Sequence, residues 1–269
     1  MTLSRSARPG MRAGTTAWLP WVFGAAAVLC QMVFPFTDGG TPQLTVLTVV
    51  LFAAATLSCA GEARGARGAL LLLGVAGGIG LLAEAVGVHT SVPFGEYSYA
   101  GTLGWQVLDV PVVVPLAWVM MSYPALLVGR RLASRRWSRV VVGAWALAAW
   151  DVFLDPQMVD AGHWTWADPT PALPGVSGVP LTNFAGWLIV ALLLLAALDL
   201  ALPRVAPVPG RSPEDLLPGA LYLWTYASSV LAHAVFFGRP PVALVGGVVM
   251  GLVAVPYALA WLRAVRPQR

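Results

Sequence analysis

This sequence predicts an all-α bundle of about eight transmembrane helices, on three observations. Of 269 residues, 58% are hydrophobic and only 10% are charged, with a mean hydropathy of +0.75, whereas a soluble globular chain carries roughly 25% charged residues. A water-soluble domain of this length needs a charged shell over its core, and the composition supplies none. Apolar runs of spanning length recur along the chain, and the arginines fall on every second connection between them.

The first run covers 17–36. Arg5, Arg8 and Arg12 ahead of it give it the outline of a secretory signal. It is too long for a signal core and lacks a small-x-small cleavage site, so it is expected to be the first membrane helix behind a tail over 1–16. Runs two and three, 42–60 and 68–86, flank Arg64 and Arg67. A connection over 87–104, rich in Gly, Pro and Tyr, leads to run four, 105–129. Arg130, Arg131, Arg135, Arg136 and Arg139 precede run five, 140–155, which is expected to end at Asp155-Pro156. A second long connection, 156–182, carries Trp164 and Trp166. Run six, 183–202, is followed by Arg204 and Arg211. Run seven, 217–237, turns at Arg239-Pro240-Pro241 into run eight, 241–262, and the tail 263–269 holds Arg263, Arg266 and Arg269. The short fifth run and the tight turn at Arg239 leave six or seven spans as alternatives.

In the eight-helix arrangement every arginine except Arg239 lies on one face. Arginine in short loops is retained in the cytoplasm, so both termini are expected there, in a multi-pass protein of a bacterial plasma membrane whose main partner is the lipid bilayer. The sequence pI is about 9.5, but there is no lysine, and the arginines lack the interleaved aromatic platforms of a nucleic-acid surface; no nucleic-acid partner is expected. Cys30 and Cys59 differ in depth by about 15 Å of helix rise, too far for a disulfide, and two cysteines make no Cys-rich metal site.

The face without arginines holds most of the carboxylates. Intramembrane ionisable residues are costly and mark function by default. Glu84 lies about one turn from the end of the third run. Asp151 and Asp155, four residues apart, share one helix face about 5–6 Å apart, a spacing at which like charges resist joint ionisation and tend to hold one proton between them. Asp109, placed on the outer end of the fourth helix, and Glu96, Asp160, Asp168, His89 and His163 are expected at solvated positions. His233 is expected to be a packed helix residue within possible reach of the carboxylates. Thr182 or Asn183 is expected to cap the sixth helix. Tyr97, Tyr99, Trp164 and Trp166 make the two long connections too aromatic for plain linkers.

Four segments carry a resemblance: Glu84-x-x-Gly87 followed by Pro93-Phe94-Gly95-x-Tyr97-x-Tyr99; Val110-Pro111 with Pro115-Leu116-x-Trp118; Trp150-Asp151-x-x-x-Asp155-Pro156-x-Met158 with Trp164-x-Trp166; and Gly178-Val179-Pro180-Leu181-x-Asn183-Phe184-x-Gly186-Trp187. Together they resemble the carotenoid biosynthesis membrane-protein family, over about Glu84 to Trp187. That family includes hydratases of the γ-carotene 1',2'-hydratase and bisanhydrobacterioruberin hydratase types. The resemblance implies water addition to the terminal double bond of an acyclic carotenoid, without a cofactor or metal, alongside other carotenoid-pathway membrane enzymes. On that reading Asp151, Asp155 and Glu84 are the catalytic candidates. Tyr97, Tyr99, Trp118, Trp164, Trp166 and Asn183 are the substrate-binding candidates, with the polyene lying between lipid-facing helices. Two other functions fit the pattern of residues: a membrane prenyltransferase holding a Mg²⁺-diphosphate on Asp-x-x-x-Asp, and a carotenoid-binding scaffold or transporter using the carboxylates as a proton path.

Overall fold

The structure, a computed structural model, describes residues 18–37, 41–206 and 214–265. Arg5, Arg8, Arg12, Arg211, Arg266 and Arg269 lie outside the described residues. The α-helices are α1 (Leu19–Val33), α2 (Pro42–Leu72), α3 (Gly78–Thr90), α4 (Val113–Leu132), α5 (Arg136–Asp160), α6 (Leu181–Ala201), α7 (Leu216–Leu231) and α8 (Pro240–Val265). Single π-helical turns, Leu73–Gly77 and Ala232–Phe236, lead into α3 and out of α7. Among the described residues, six helical stretches are long and apolar enough to cross a membrane, which makes this an all-α membrane protein. One of them, Pro42–Thr90, has 49 residues, more than twice the ~20 that one crossing needs. It bends at Gly65, whose φ of 72° no neighbouring helical residue shares. A Cβ on Gly68 would sit 3.1 Å from the Ala60 carbonyl, so the two arms fold against each other at the bend.

Helix α4 runs through the middle of the bundle, every residue from Trp118 to Gly129 being buried. At one end of the bundle Arg64, Arg130, Arg131, Arg136 and Arg139 meet carboxylates. Asp199, at the end of α6, takes Arg130 at 3.0 Å, Arg139 at 3.3 Å and Arg136 at 3.6 Å. Arg131 pairs with Asp215 at 2.8 Å, and Arg64 with Glu214. The opposite end carries the two long connections, and there Arg239 bonds Asp160 and the Ser177 carbonyl.

Three antiparallel ribbons shape that second end. Strand β1 (Tyr97–Tyr99) pairs with β4 (Trp164–Trp166), setting Tyr97 opposite Trp166 and Tyr99 opposite Trp164, and so ties the two connections together. Strands β2 (Gln106–Val107) and β3 (Val110–Pro111) form a short hairpin, and β5 (Ala172–Leu173) pairs with β6 (Val176–Pro180).

Several expected boundaries move. The fourth helix begins at Val113 rather than near Trp105, because Leu108 and Asp109 take left-handed φ of 54° and 63° and turn the intervening apolar segment into a hairpin. Asp109 therefore lies in that hairpin, exposed, 3.4 Å from His89. Helix α5 does not stop at Asp155 but continues through Pro156 to Asp160. An interior proline removes one helical hydrogen bond; burial of Phe153, Asp155 and Met158 on either side holds the helix across the gap. Helix α6 begins at Leu181, and Pro180 occupies its N-cap without a side-chain bond. Thr182 and Asn183 therefore lie inside the first turn, and Asn183 is free to point elsewhere.

Candidate functional site

Glu84 lies in the last part of α3, buried. The absence of a side chain on Gly80, one turn earlier, lets Trp118 of α4 lie against α3; a Cβ there would meet the indole at 2.7 Å. From that position the Trp118 Nε1–H donates to Glu84 Oε1 at 3.0 Å. The other carboxylate oxygen, Oε2, accepts from the Tyr97 hydroxyl at 2.6 Å and the Tyr99 hydroxyl at 2.9 Å. Residues two apart on a strand share a face, which is why one short strand delivers both phenols. Burial first, and the Glu84 charge second, push both phenols well above the usual tyrosine range, so they remain donors. Glu84 is thus held by three neutral donors.

Asp151 and Asp155 are both buried, one turn apart on α5. The Asn183 amide of α6 donates to Asp151 Oδ2 at 2.8 Å and also to Asp155 Oδ2. Both Oδ2 atoms thus lie within bonding distance of one amide nitrogen, which draws the two carboxyls together. Asp151 Oδ1 is buried without a hydrogen-bond partner. Rings bridge the two carboxyl groups: Tyr99 meets Trp164 edge-on at 5.7 Å, and Trp118 stacks at 4.0 Å on Trp187, which meets Trp150 at 6.1 Å. Trp150 and Trp187 are functional candidates that site reasoning from sequence passed over, although each sits in the segments quoted above, Trp150 directly before Asp151.

The structure therefore gathers Glu84, Tyr97, Tyr99, Trp118, Asp151, Asp155, Trp164 and Asn183 into one buried polar cluster with an aromatic frame. Trp166 is more peripheral: its Nε1–H donates to the Phe94 carbonyl at 2.9 Å and its ring lies on Tyr97. The remaining titratable residues stay apart. Glu96 is exposed, and Asp168 is held below the usual carboxylate range by bonds from Thr170. His163 is buried on the Thr102 hydroxyl. His233 is buried against Phe153 and Phe237 with Nδ1 on the Ser229 carbonyl. Among the described residues, no three His, Cys, Asp or Glu side chains form a metal-holding group.

An apolar cavity of about 340 Å³ lies beside the cluster, reaching Trp150 and Trp164. Glu84, Asp151, Asp155 and Asn183 are not among its walls. They share a cluster next to this cavity rather than lining it.

The sequence matches the carotenoid biosynthesis protein family over residues 44–254. The chain belongs to that family. The match contains every residue of the cluster, from Glu84 to Asn183. Bisanhydrobacterioruberin hydratase of Haloarcula japonica is 33% identical over 127 residues, covering 45% of this chain and 41% of that protein. The aligned part is thus less than half the length of that relative. No solved structure matches the chain. As a carotenoid biosynthesis protein, the molecule carries its buried carboxyls within an all-α membrane bundle.

Proposed function

We propose that this carotenoid biosynthesis protein is a hydratase that adds water to the terminal C1=C2 double bond of an acyclic carotenoid. The observation that carries the reading is the pair Asp151 and Asp155, buried together and joined by Asn183. Two carboxyls drawn to one amide nitrogen in a buried site resist joint ionisation, so the pair holds a proton between them. A proton held in a dry site, against a neighbouring carboxylate, is what an unactivated alkene requires.

The reaction balances as follows. The pair gives its proton to C2, whose bond to hydrogen takes the π electrons and leaves a tertiary cation at C1. Water forms a bond to C1, and its surplus proton returns to the pair, which ends as it began. Asp151, with Oδ1 unpartnered, is the proton donor. Asp155, which accepts from Asn183, is the carboxylate that receives the proton from water. Glu84, already taking three donors, acts through its charge on the cation and through its hold on Tyr97, Tyr99 and Trp118. The electron-rich faces of Trp164 and Tyr99 offer further cation stabilisation. The similarity to a bisanhydrobacterioruberin hydratase supports the same reading.

The test is expression in a host that accumulates acyclic carotenoids, with mass spectrometry of the extracted pigments. Gain of the mass of one or two waters is expected. Unchanged pigment masses, with the protein present in the membrane, would overturn the assignment.

A further inference from the structure

The apolar cavity lies beside the carboxyls, between α1, α2, α4, α5 and α7, and takes no charged residue into its walls. Its rim includes Met32 and Phe36 from the α1 side and Leu231 and Phe236 from the α7 side. All four are exposed on the outside of the bundle. Exposed apolar side chains at this depth of a membrane protein face lipid, so the cavity opens sideways into the bilayer rather than to water. Its walls include Trp150 and Trp164, and Trp150 directly precedes Asp151 on α5. Anything seated against Trp150 lies one residue along the helix from the carboxyl pair.

The polar lining is neutral and consists of hydroxyls and amides. Most of these groups are committed within the chain. Thr48 bonds the Leu44 carbonyl, Thr225 the Leu221 carbonyl, and Gln31 accepts from Trp224. Thr45 and Gln157 differ: Thr45 Oγ1 is buried without a partner among the described residues, and Gln157, whose carboxamide takes no hydrogen bond among them, lines this cavity and also an adjoining one of about 210 Å³ that reaches Asp160. An uncommitted amide in an otherwise apolar, uncharged, lipid-facing space suits a long hydrocarbon that carries one hydroxyl. The volume is near the lower end of the about 300–1,000 Å³ of ordinary ligand pockets, which fits the end of a long chain and not its whole length.

We propose that this cavity is the binding site for the terminal segment of an uncharged isoprenoid polyene, reached from the bilayer between α1 and α7, with Gln157 holding the hydroxyl of a hydrated end. The assignment rests on the hydratase reading for the class of ligand, and on the cavity walls for its place.

The full chain in nanodiscs is titrated with an acyclic C40 polyene hydrocarbon and with its singly hydrated form, binding being read from quenching of tryptophan fluorescence. Ala117→Phe and Ala232→Phe, which fill the cavity from α4 and from the π-turn after α7, each weaken both polyenes at least ten-fold. Glu96→Gln binds both as the parent does, since Glu96 is exposed and lies outside the walls. Gln157→Leu weakens the hydrated polyene about five-fold relative to the hydrocarbon, the worth of one neutral hydrogen bond. Parent-like binding by both filled variants, inserted and melting as the parent does, overturns the site whatever the pigment masses show. Equal affinity of Gln157→Leu for both polyenes, relative to the parent, overturns the role of Gln157. Binding lost in the filled variants of a protein that adds no water to pigment leaves the cavity assigned and removes the hydratase reading instead.

Discussion

The two ends of the bundle both bury carboxylates and treat them oppositely. At the arginine-bearing end Asp199 is ringed by Arg130, Arg136 and Arg139, while Glu214 and Asp215 take Arg64 and Arg131. At the loop-bearing end Glu84, Asp151 and Asp155 are held by tyrosine, tryptophan and asparagine alone. A guanidinium partner fixes a carboxylate in its charged form and removes it from chemistry. A neutral donor orients a carboxyl without deciding whether it holds a proton. On the proposed reading the same residue type is mortar at one end and reagent at the other, and the partner makes the difference.

Substitutions that separate the two treatments break or sharpen this contrast. At the loop-bearing end, Asp151→Asn and Asp155→Asn each lower hydration by about 10²–10⁴, the usual worth of a general acid or base, while the melting temperature in detergent stays near that of the parent. Full turnover in both variants would remove the contrast. At the other end, Asp199→Ala strands the buried guanidiniums of Arg130 and Arg139, and a broken buried pair costs roughly 3–5 kcal/mol. The expected result is a large drop in thermal stability with normal turnover per folded molecule, read by melting and by activity normalised to inserted protein. Tyr99→Phe removes one of the three donors on Glu84, a charge-assisted bond of about 1.5–3 kcal/mol, and a moderate fall in both stability and rate should follow; no change in either would show that Tyr97 and Trp118 suffice.

The smallest effect concerns His163. Burial lowers its affinity for a proton in the folded chain, below the ordinary value of about 6.5. As pH falls through that value the unfolded chain takes up a proton that the folded one refuses. Stability is therefore complete above this range and declines below it. His163→Gln should flatten the acid side of a melting-temperature profile between about pH 7 and pH 5; an unaltered slope would assign the decline elsewhere.

Much of this was legible in the chain because hydropathy and arginine placement act over many residues. The apolar runs correspond to helices, and the inter-helix arginines Arg64, Arg130, Arg131, Arg136 and Arg139 gather at one end as their alternation implies. The boundaries were less legible where local chemistry opposed the pattern. The segment Trp105 to Val112 is apolar enough to read as helix, and only two left-handed residues reveal a hairpin. Pro156 reads as a stop, and packing carries the helix past it. In the site, the pairing of Asp151 with Asp155 follows from helical spacing. Their joining by Asn183 does not, because it depends on where α6 enters the bundle. The alternation Tyr97-x-Tyr99 and Trp164-x-Trp166 is a strand signature, and it was available to predict the ribbon that joins the two connections.

That ribbon has an effect on how the protein can change. Because β1 and β4 are in register, Tyr97, Tyr99, Trp164 and Trp166 turn inward as a set. Inserting or deleting one residue in either strand would slip the pairing and rotate that strand's rings to the opposite face together. The two connections are consequently locked to a common length at this point, and drift in either one is confined to the stretches beyond the ribbon. New pigment preferences have to arise by point substitution around a fixed aromatic quartet, and grafting one connection from a relative without the other should yield an inserted but inactive protein.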